Sequence, residues 1–283
     1  MIRHYELTAE QFAVVEDLLP GNGKPGGQWN DHRTTLTGIL WVLHTGAQWR
    51  ELPEQYGKWK SVHDRLSRWR ADGTLDRILE RRHMRLDEAG RIDPDLWCID
   101  ATSIRASRAA AGAVSGGKKV PGEPDDQALG RSRGGFGTKL HLVVDGHGRP
   151  LSAVVTAGQA HESKSRERVL EAVRIKRPGR GRPRRRPRRL AGDQGYSYRR
   201  VRRDLRRRRI KAVIPTRKDQ RRNPHFDKEA YRRRNVVERC VGWLKECRRL
   251  ATRHEKLAVN FLAMVKLAMI RRCLKVYESP DRT

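Results

Sequence analysis

Leu96-Trp97-Cys98-Ile99-Asp100 is a run of four apolar residues that ends in a carboxylate. A short apolar run of this kind reads as a buried strand, and the aspartate then stands at its carboxyl end. Asp93-Pro94 ahead of it is a turn. Downstream, 138–144 reads as a second strand, Asp145-Gly146-His147-Gly148 as a hairpin turn and 151–156 as the returning strand. Residues 162–173 carry Val169, Leu170 and Val173 and predict a short helix. Leu190-Ala191-Gly192-Asp193 reads as another short strand with an aspartate at its end. A basic helix with a thin stripe of Tyr198, Val201 and Leu205 follows, then a strand at 211–214 closed by Pro215. The stretch 106–137, rich in Gly, Ser, Ala and Lys and holding Pro121 and Pro124, predicts a mobile loop. A last helix over 257–276, apolar on most faces, is expected to be buried.

Ahead of that last helix, Tyr231-Arg232-Arg233-Arg234-Asn235-Val236-Val237-Glu238-Arg239-Cys240-Val241-Gly242-Trp243-Leu244-Lys245 predicts one amphipathic helix. At about 100° per residue, Tyr231, Arg234, Glu238 and Lys245 fall within about 60° of one another. Val237, Cys240, Leu244 and Cys247 lie on the opposite side, so the helix has a core face and a polar face. Taken alone, Glu238 reads equally well as a salt-bridge partner of its many cationic neighbours.

From residue 95 the elements run strand, strand, strand, helix, strand, helix, strand, helix. That order resembles the ribonuclease-H-like fold. The resemblance implies that the first and fourth strands lie side by side in the sheet centre, with Asp100 close to Asp193. It also implies that the 231–245 helix packs across the sheet and offers Glu238 to the same place. Three carboxylates gathered in one spot repel one another. A pair of divalent cations relieves that repulsion, and hard oxygen ligands favour Mg2+ or Mn2+. Two such ions about 3.5–4 Å apart clamp the attacking and leaving oxygens of a phosphodiester displacement. Asp100, Asp193 and Glu238 are therefore the candidate catalytic residues and metal ligands.

The charge balance points to the same class of substrate. The chain has 283 residues, with 63 Lys and Arg against 33 Asp and Glu, and a net charge of +30. Its pI is about 11.1 and its mean hydropathy −0.83. A small neutral substrate has no use for such a field. A polyanion does, and nucleic acid is the commonest one. Residues 174–189 hold ten Lys or Arg, three prolines, two glycines and no acid. No core forms from that composition, so a basic loop is expected there, with Arg184, Arg185 and Arg186 as DNA-contacting residues. No secretory signal is recognisable after Met1, and 257–270, interrupted by Asn260 and Lys266, is too short and polar to span a bilayer. Cys98, Cys240, Cys247 and Cys273 form no C-x-x-C pair and sit in apolar patterns, as reduced core thiols of a cytoplasmic protein do.

Residues 1–90 read as helices only. Thr8 with Gln11 three residues on is a capping box, Leu7 and Phe12 have the spacing of a hydrophobic staple, and Pro20 follows, so a helix is expected over 7–20. Residues 21–27 are a Gly/Pro loop. A second helix runs from Asp31, buries Leu36, Ile39, Leu40 and Leu43, and stops at Gly46. A third starts at Ser61 as its cap and ends near Gly73, and Thr74 opens a fourth. Trp29, Trp41, Trp49, Trp59 and Trp69 suggest an aromatic core. The third helix carries Val62, Leu66 and Trp69 on one face, with Lys60, Arg65 and Arg68 around it. It is the candidate for a DNA groove in a helix-turn-helix-like module, although the 46–60 connection is longer than the usual turn of about 3–4 residues. The expected fold is α+β. A small all-helical DNA-binding domain occupies 1–90, and a ribonuclease-H-like mixed-sheet catalytic domain occupies 91–283, with the basic loop at 174–189.

Tyr231, Arg234, Glu238 and Lys245 stand as Y-x2-R-x3-E-x6-K. Further segments are Trp97-Cys98-Ile99-Asp100-Ala101-Thr102, Leu129-Gly130-Arg131-Ser132-Arg133-Gly134-Gly135, Thr138-Lys139-Leu140-His141, Gly192-Asp193-Gln194-Gly195-Tyr196 and Leu250-Ala251-Thr252-Arg253. On these residues the chain resembles the bacterial insertion-sequence DDE transposases, and insertion-sequence family five, with its YREK signature, in particular. The resemblance implies an enzyme that binds the terminal inverted repeats of its element, cuts the phosphodiester bonds at the ends and transfers the 3′-hydroxyl ends to target DNA. It implies a homo-oligomer on double-stranded DNA, in the bacterial cytoplasm at the nucleoid. Tyr231, Arg234 and Lys245 would position DNA beside the scissile bond. The alternatives are a non-catalytic DNA-binding protein derived from a transposase and a metal-dependent DNA nuclease of the same fold.

Replacing six arginines of 174–189 by serine is expected to flatten the slope of log affinity against log salt by several units, at about 0.9 for each phosphate that is no longer neutralised. Preference among DNA sequences should change little. Gel retardation over a salt series checks this, and a large change in preference at an unchanged slope contradicts it.

Overall fold

Polar caps and glycines set where the first helices begin and end. The computed structural model describes residues 6–21, 30–111, 126–132, 134–177, 179 and 181–275. Thr8 and Gln11 cap each other reciprocally ahead of α1 (Ala9–Ala13), with Leu7 and Phe12 buried beside them. The helix expected over 7–20 is broken, since 16–18 form a separate 3-10 turn. Asp31 accepts the Thr34 N–H at 2.6 Å and opens α2 (His32–Thr45). Gly46, at φ 73°, ends it in the left-handed conformation that glycine tolerates best. The long connection that follows is two 3-10 turns, Trp49–Glu51 and Glu54–Tyr56. These deliver the chain into α3 (Trp59–Ala71) two residues before Ser61, so Ser61 lies inside the helix and does not cap it. Next comes α4 (Thr74–Glu88). Of the five clustered tryptophans, Trp69 is fully buried and Trp41 and Trp49 pack at the edge of the core. Trp59 is 37% exposed and does not join the expected aromatic core. Trp29 and most of the 21–27 loop lie outside the described residues.

The sheet is built on β1, Leu96–Ala106. It is longer than its apolar run predicts because β3 (Gly135–Asp145) pairs with it antiparallel from Trp97↔Asp145 to Arg105↔Gly137. Asp100 therefore stands inside the strand and not at its carboxyl end. Between them lie α5 (Arg108–Ala111) and β2 (Gly130–Ser132), which takes part of the stretch expected to be loop into the sheet beside β3. Residues 112–125 lie outside the described residues. On the far side of β3 the returning strand β4 (Pro150–Ala157) pairs antiparallel, and α6 (Glu162–Glu171) follows. β5 (Arg189–Ala191) pairs parallel with β1, and β6 (Lys211–Val213), reached through α7 (Arg199–Arg207), pairs parallel with β5. The order β4-β3-β1-β5-β6, with three antiparallel strands and two parallel ones, is the ribonuclease-H-like arrangement. The 174–189 stretch is more than loop. Ile175 and Arg184 exchange backbone hydrogen bonds of 3.0 and 2.8 Å, and the Arg184 side chain pairs with Asp87 at 3.2 Å.

The helix expected over 231–245 is two helices, α8 (Lys228–Arg232) and α9 (Asn235–Glu246). The break falls where Arg233 forms an ion pair of 2.9 Å with Asp93. A short helix α10 (Arg248–Ala251) leads to β7 (Thr252–Arg253), which adds to the far end of β1, and α11 (Ala258–Lys275) is buried along most of its length. The helices of 1–90 and the sheet share one core. Within it α4 packs on α11, Arg82 donates to the Cys273 carbonyl at 3.1 Å, and His83 Nε2 donates to the Pro150 carbonyl at 2.9 Å. All four cysteines are free and buried. Among the described residues no helix is long and apolar enough to cross a membrane.

Burial lowers His83 from the ordinary histidine value of 6.5 to about 4. The unfolded chain therefore binds a proton at this site between those pH values that the folded chain does not, and stability falls as pH drops through that window. His83→Gln is expected to lose less melting temperature than the wild type between pH 7 and pH 5, checked by circular dichroism. Equal losses contradict it.

Candidate active site

A short parallel pairing between β1 and β5 brings the aspartates together. Register pairs Cys98 of β1 with Ala191 of β5. Asp100 and Asp193 each stand two residues further on, at matching positions just past the end of β5, where β1 runs on. Asp193 accepts the Gly195 N–H at 2.9 Å and caps the 3-10 turn Gln194–Tyr196. The Asp100 side chain is 20% exposed, and its Oδ1 accepts the Ala101 N–H at 2.8 Å.

Arg234, at the N-terminus of α9, reaches both Asp100 and Glu238. Its Nη1 lies 3.4 Å from Asp100 Oδ2, and its Nη2 forms a close ion pair with Glu238 one helical turn along. The Glu238 carboxylate is 52% exposed, and the guanidinium links it to Asp100. Tyr231 ends up on α8, with Arg234 stacked over its ring at 5.7 Å and Phe226 tilted against it at 5.3 Å. Lys245 is half-buried in the last turn of α9, about 10 Å along the axis from Glu238 at about 1.5 Å per residue. Burial pushes the Asp100 carboxyl above its ordinary range, its backbone hydrogen bond and Arg234 pull it back, and the charges of Asp193 and Glu162 push it up further. Among the described residues, no three His, Cys, Asp or Glu side chains converge into a ready-made ligand set.

Of two further residues in this neighbourhood, Glu162 is absent from the sequence reading and Tyr196 enters it only as the last residue of a family-like segment. Glu162 opens α6 and pairs with Lys139 at 3.4 Å. Tyr196 is 0% exposed, with its ring against Gly192. Neither betrays itself locally, since Glu162 reads as an ordinary first-turn acid and Tyr196 as a core aromatic. His141, on the same strand as Lys139, is buried and shares a 2.8 Å hydrogen bond with Thr156 Oγ1.

The remaining predicted contacts sit on other elements. Lys60 and Arg68 are exposed on α3, with Lys60 paired to Asp64 at 3.0 Å. Arg65 is a correction. It is 7% exposed, its Nη1 lies 2.7 Å from His32 Nδ1 and it stacks over Trp69 at 5.9 Å, so it faces the core and offers DNA nothing. Arg184 is held by Asp87, Arg185 is exposed, and the exposed Arg186 donates to the Arg208 carbonyl at 2.6 Å.

Comparison with known proteins decides the family. Residues 92–273 match the family described as "Transposase DDE domain". The chain belongs to the DDE transposases. Residues 7–79 match "Putative transposase of IS4/5 family", so the amino-terminal helices of this transposase belong to the same lineage. A "Putative transposase for insertion sequence element IS402" of Burkholderia cepacia is 33% identical over 147 residues, 52% of this chain and 67% of that protein. An uncharacterized protein, y4sN, of Sinorhizobium fredii is 35% identical over 109 residues, 38% of this chain and 82% of that protein. Among solved structures, the Mos1 mariner paired end complex with Mn aligns over 82% of each chain at 15% identity with a TM-score of 0.25. That likeness is too remote to weigh on the fold, which rests on the sheet order.

Removing the Arg234 charge should move Asp100 in a known direction. Arg234→Gln is expected to raise the Asp100 carboxyl pKa further, checked by NMR titration of the side-chain carboxyl carbon. A fall, or no movement, contradicts the bridge.

Proposed function

We propose that this transposase recognises the terminal inverted repeats of its element, cuts the phosphodiester bonds at the ends and joins the 3′-hydroxyl ends to target DNA. Asp100, Asp193 and Glu238 carry the chemistry. The observation that supports this best is the pair of aspartates on the neighbouring stretches of β1 and β5, one of them desolvated, linked through Arg234 to a glutamate on the facing helix. A desolvated carboxylate beside a second one is the donor set that a hard divalent cation stabilises, and Asp100, Asp193 and Glu238 are the residues that would hold it. When bound, two Mg2+ or Mn2+ ions supply charge stabilisation at the attacking and leaving oxygens.

The rest of the work belongs to the chain's own residues. Arg234 shields Asp100 from Glu238 while the site is free of DNA. A backbone phosphate that arrives there competes for the guanidinium, which is a planar fork suited to phosphate. The Tyr231 ring, with its centroid 5.7 Å from the guanidinium carbon, helps to hold it in place, and Lys245 offers a further cation two turns along α9. Lys60 and Arg68 on α3, with Arg185 and Arg186, contribute to holding the duplex by its phosphates. The YREK spacing supports placement in insertion-sequence family five. Assembly on DNA as a homo-oligomer is part of the same reading.

Glu238→Gln keeps the side chain's size and a similar helix propensity, so the fold should survive. Retardation of terminal-repeat DNA should be equal or slightly tighter, because one repelling charge is gone. Mg2+-dependent cleavage of the same DNA should fall by orders of magnitude, since charge stabilisation carries much of such a displacement. Asp100→Asn and Asp193→Asn should behave alike. If Glu238→Gln cleaves as well as the wild type, the α9 face is a salt-bridge stripe and the chemistry lies elsewhere.

A further inference from the structure

Six of the nine residues of α7 are arginine, and they are not spread evenly around it. Val201 and Leu205 are fully buried and fix the inner face of the helix. At about 100° per residue, Arg199, Arg203 and Arg206 fall within about 60° of one another on the opposite side. All three are exposed. The one acid of the helix, Asp204, is taken by Arg166 at 2.7 Å, Arg207 at 2.9 Å and Arg208 at 3.1 Å. Among the described residues, Arg199, Arg203 and Arg206 have no acidic partner. Like charges three and four residues apart weaken a helix, so this stripe costs α7 stability.

The stripe is held in a fixed place. Arg202 donates to Ser197 Oγ at 3.0 Å and to the Ile214 and Pro215 carbonyls at 2.9 and 3.2 Å, which anchors the start of α7 a few residues after Asp193. At the other end Arg208 pairs with Glu167 and Glu171 of α6, and its carbonyl accepts from Arg186. The basic segment around the exposed Arg185 and Arg186 therefore continues the surface that α7 begins beside the acidic centre. From Arg199 to Arg206 the helix rises about 10 Å, at about 1.5 Å per residue. That is roughly three phosphate steps of one DNA strand, at about 3.4 Å each. Because α7 packs against β6 and α6, it presents a face and not a free rod, and a duplex lying on that face meets it with its phosphates. α3 packs elsewhere, on α2, α4 and α11.

We infer that the stripe of Arg199, Arg203 and Arg206 holds a second duplex, the target DNA, by its phosphates and without regard to sequence. The inference rests on the transposase reading above, in which α3 is offered to the element ends. The target is a separate duplex from those ends, and phosphates are the contact that every sequence provides.

The test uses the full chain loaded with one equivalent of unlabelled terminal-repeat duplex, in EDTA so that nothing is cut. Binding of a labelled duplex of unrelated sequence is followed by fluorescence anisotropy over a salt series. The triple variant Arg199→Gln, Arg203→Gln, Arg206→Gln keeps a similar helix propensity. It should bind the unrelated duplex about tenfold or more weakly, with the slope of log affinity against log salt flattened by about 2.7, at about 0.9 for each arginine. Retardation of the repeat duplex alone should change by less than about twofold. With Mg2+, joining of pre-cut repeat ends to the unrelated duplex should fall with its binding. Should a thermal melt show that the triple variant does not fold, Arg203→Gln alone carries the test, with a slope change of about 0.9. An unchanged slope overturns the inference, as does an equal loss on repeat and unrelated DNA, or weaker binding with unchanged joining. If the wild type itself retards repeat and unrelated DNA alike, or joins no ends, the reading under Proposed function fails, and the stripe is then judged on the slope alone.

Discussion

β1 is the strand on which everything else is registered. It pairs with β3 along most of its length, with β5 at its start and with β7 at its end. Its first four residues are fully buried, so a slip of one residue would turn Trp97 and Ile99 to the other face at prohibitive cost. That constraint places Asp100. Pairing with β5 then places Asp193, and the packing of α9 on β1 places Arg234 and Glu238. The site is assembled from three separate parts of the chain, and β1 touches both of the others.

Charge is divided between surface and interior. The excess of Lys and Arg suggests a DNA-facing surface, but several arginines serve the fold. Arg253 is fully buried, donating to Thr138 Oγ1 at 2.6 Å and to the Glu255 carbonyl at 2.8 Å. Arg249 pairs with Glu255 at 2.6 Å in the interior, and Arg82 reaches the α11 backbone. A guanidinium can satisfy several carbonyls at once with its five donors, which suits it to joining elements across a core.

Arg234 gives the acidic centre a resting state. A carboxylate removed from water, with Asp193 and Glu162 close enough to act on it, needs a compensating charge. The guanidinium supplies it and holds Glu238 at the same time. The spacing of Arg234 and Glu238 by one helical turn makes the pair intrinsic to α9, whereas the link to Asp100 depends on how α9 docks on the sheet.

Local pattern determined much of this protein. The capping box at Thr8, the stop at Gly46, the strand containing Asp100, the strand ahead of Asp193 and the Arg234–Glu238 face were all legible, because each depends on residues within a turn or a strand of one another. So was the order of elements that specifies the sheet. The tertiary structure decided the rest. It extended β1 past Asp100 because β3 supplies partners along its whole length. It broke the 231–245 helix beside the Arg233–Asp93 ion pair, whose partners are far apart in sequence. It turned Arg65 inward because His32 and Trp69 line that side of α3. It tied 174–189 down through Ile175, Arg184 and Asp87. It set Glu162 and Tyr196 beside the aspartates. In most of these cases the deciding partner is distant in the chain, and periodicity within one segment carries no information about a partner in another.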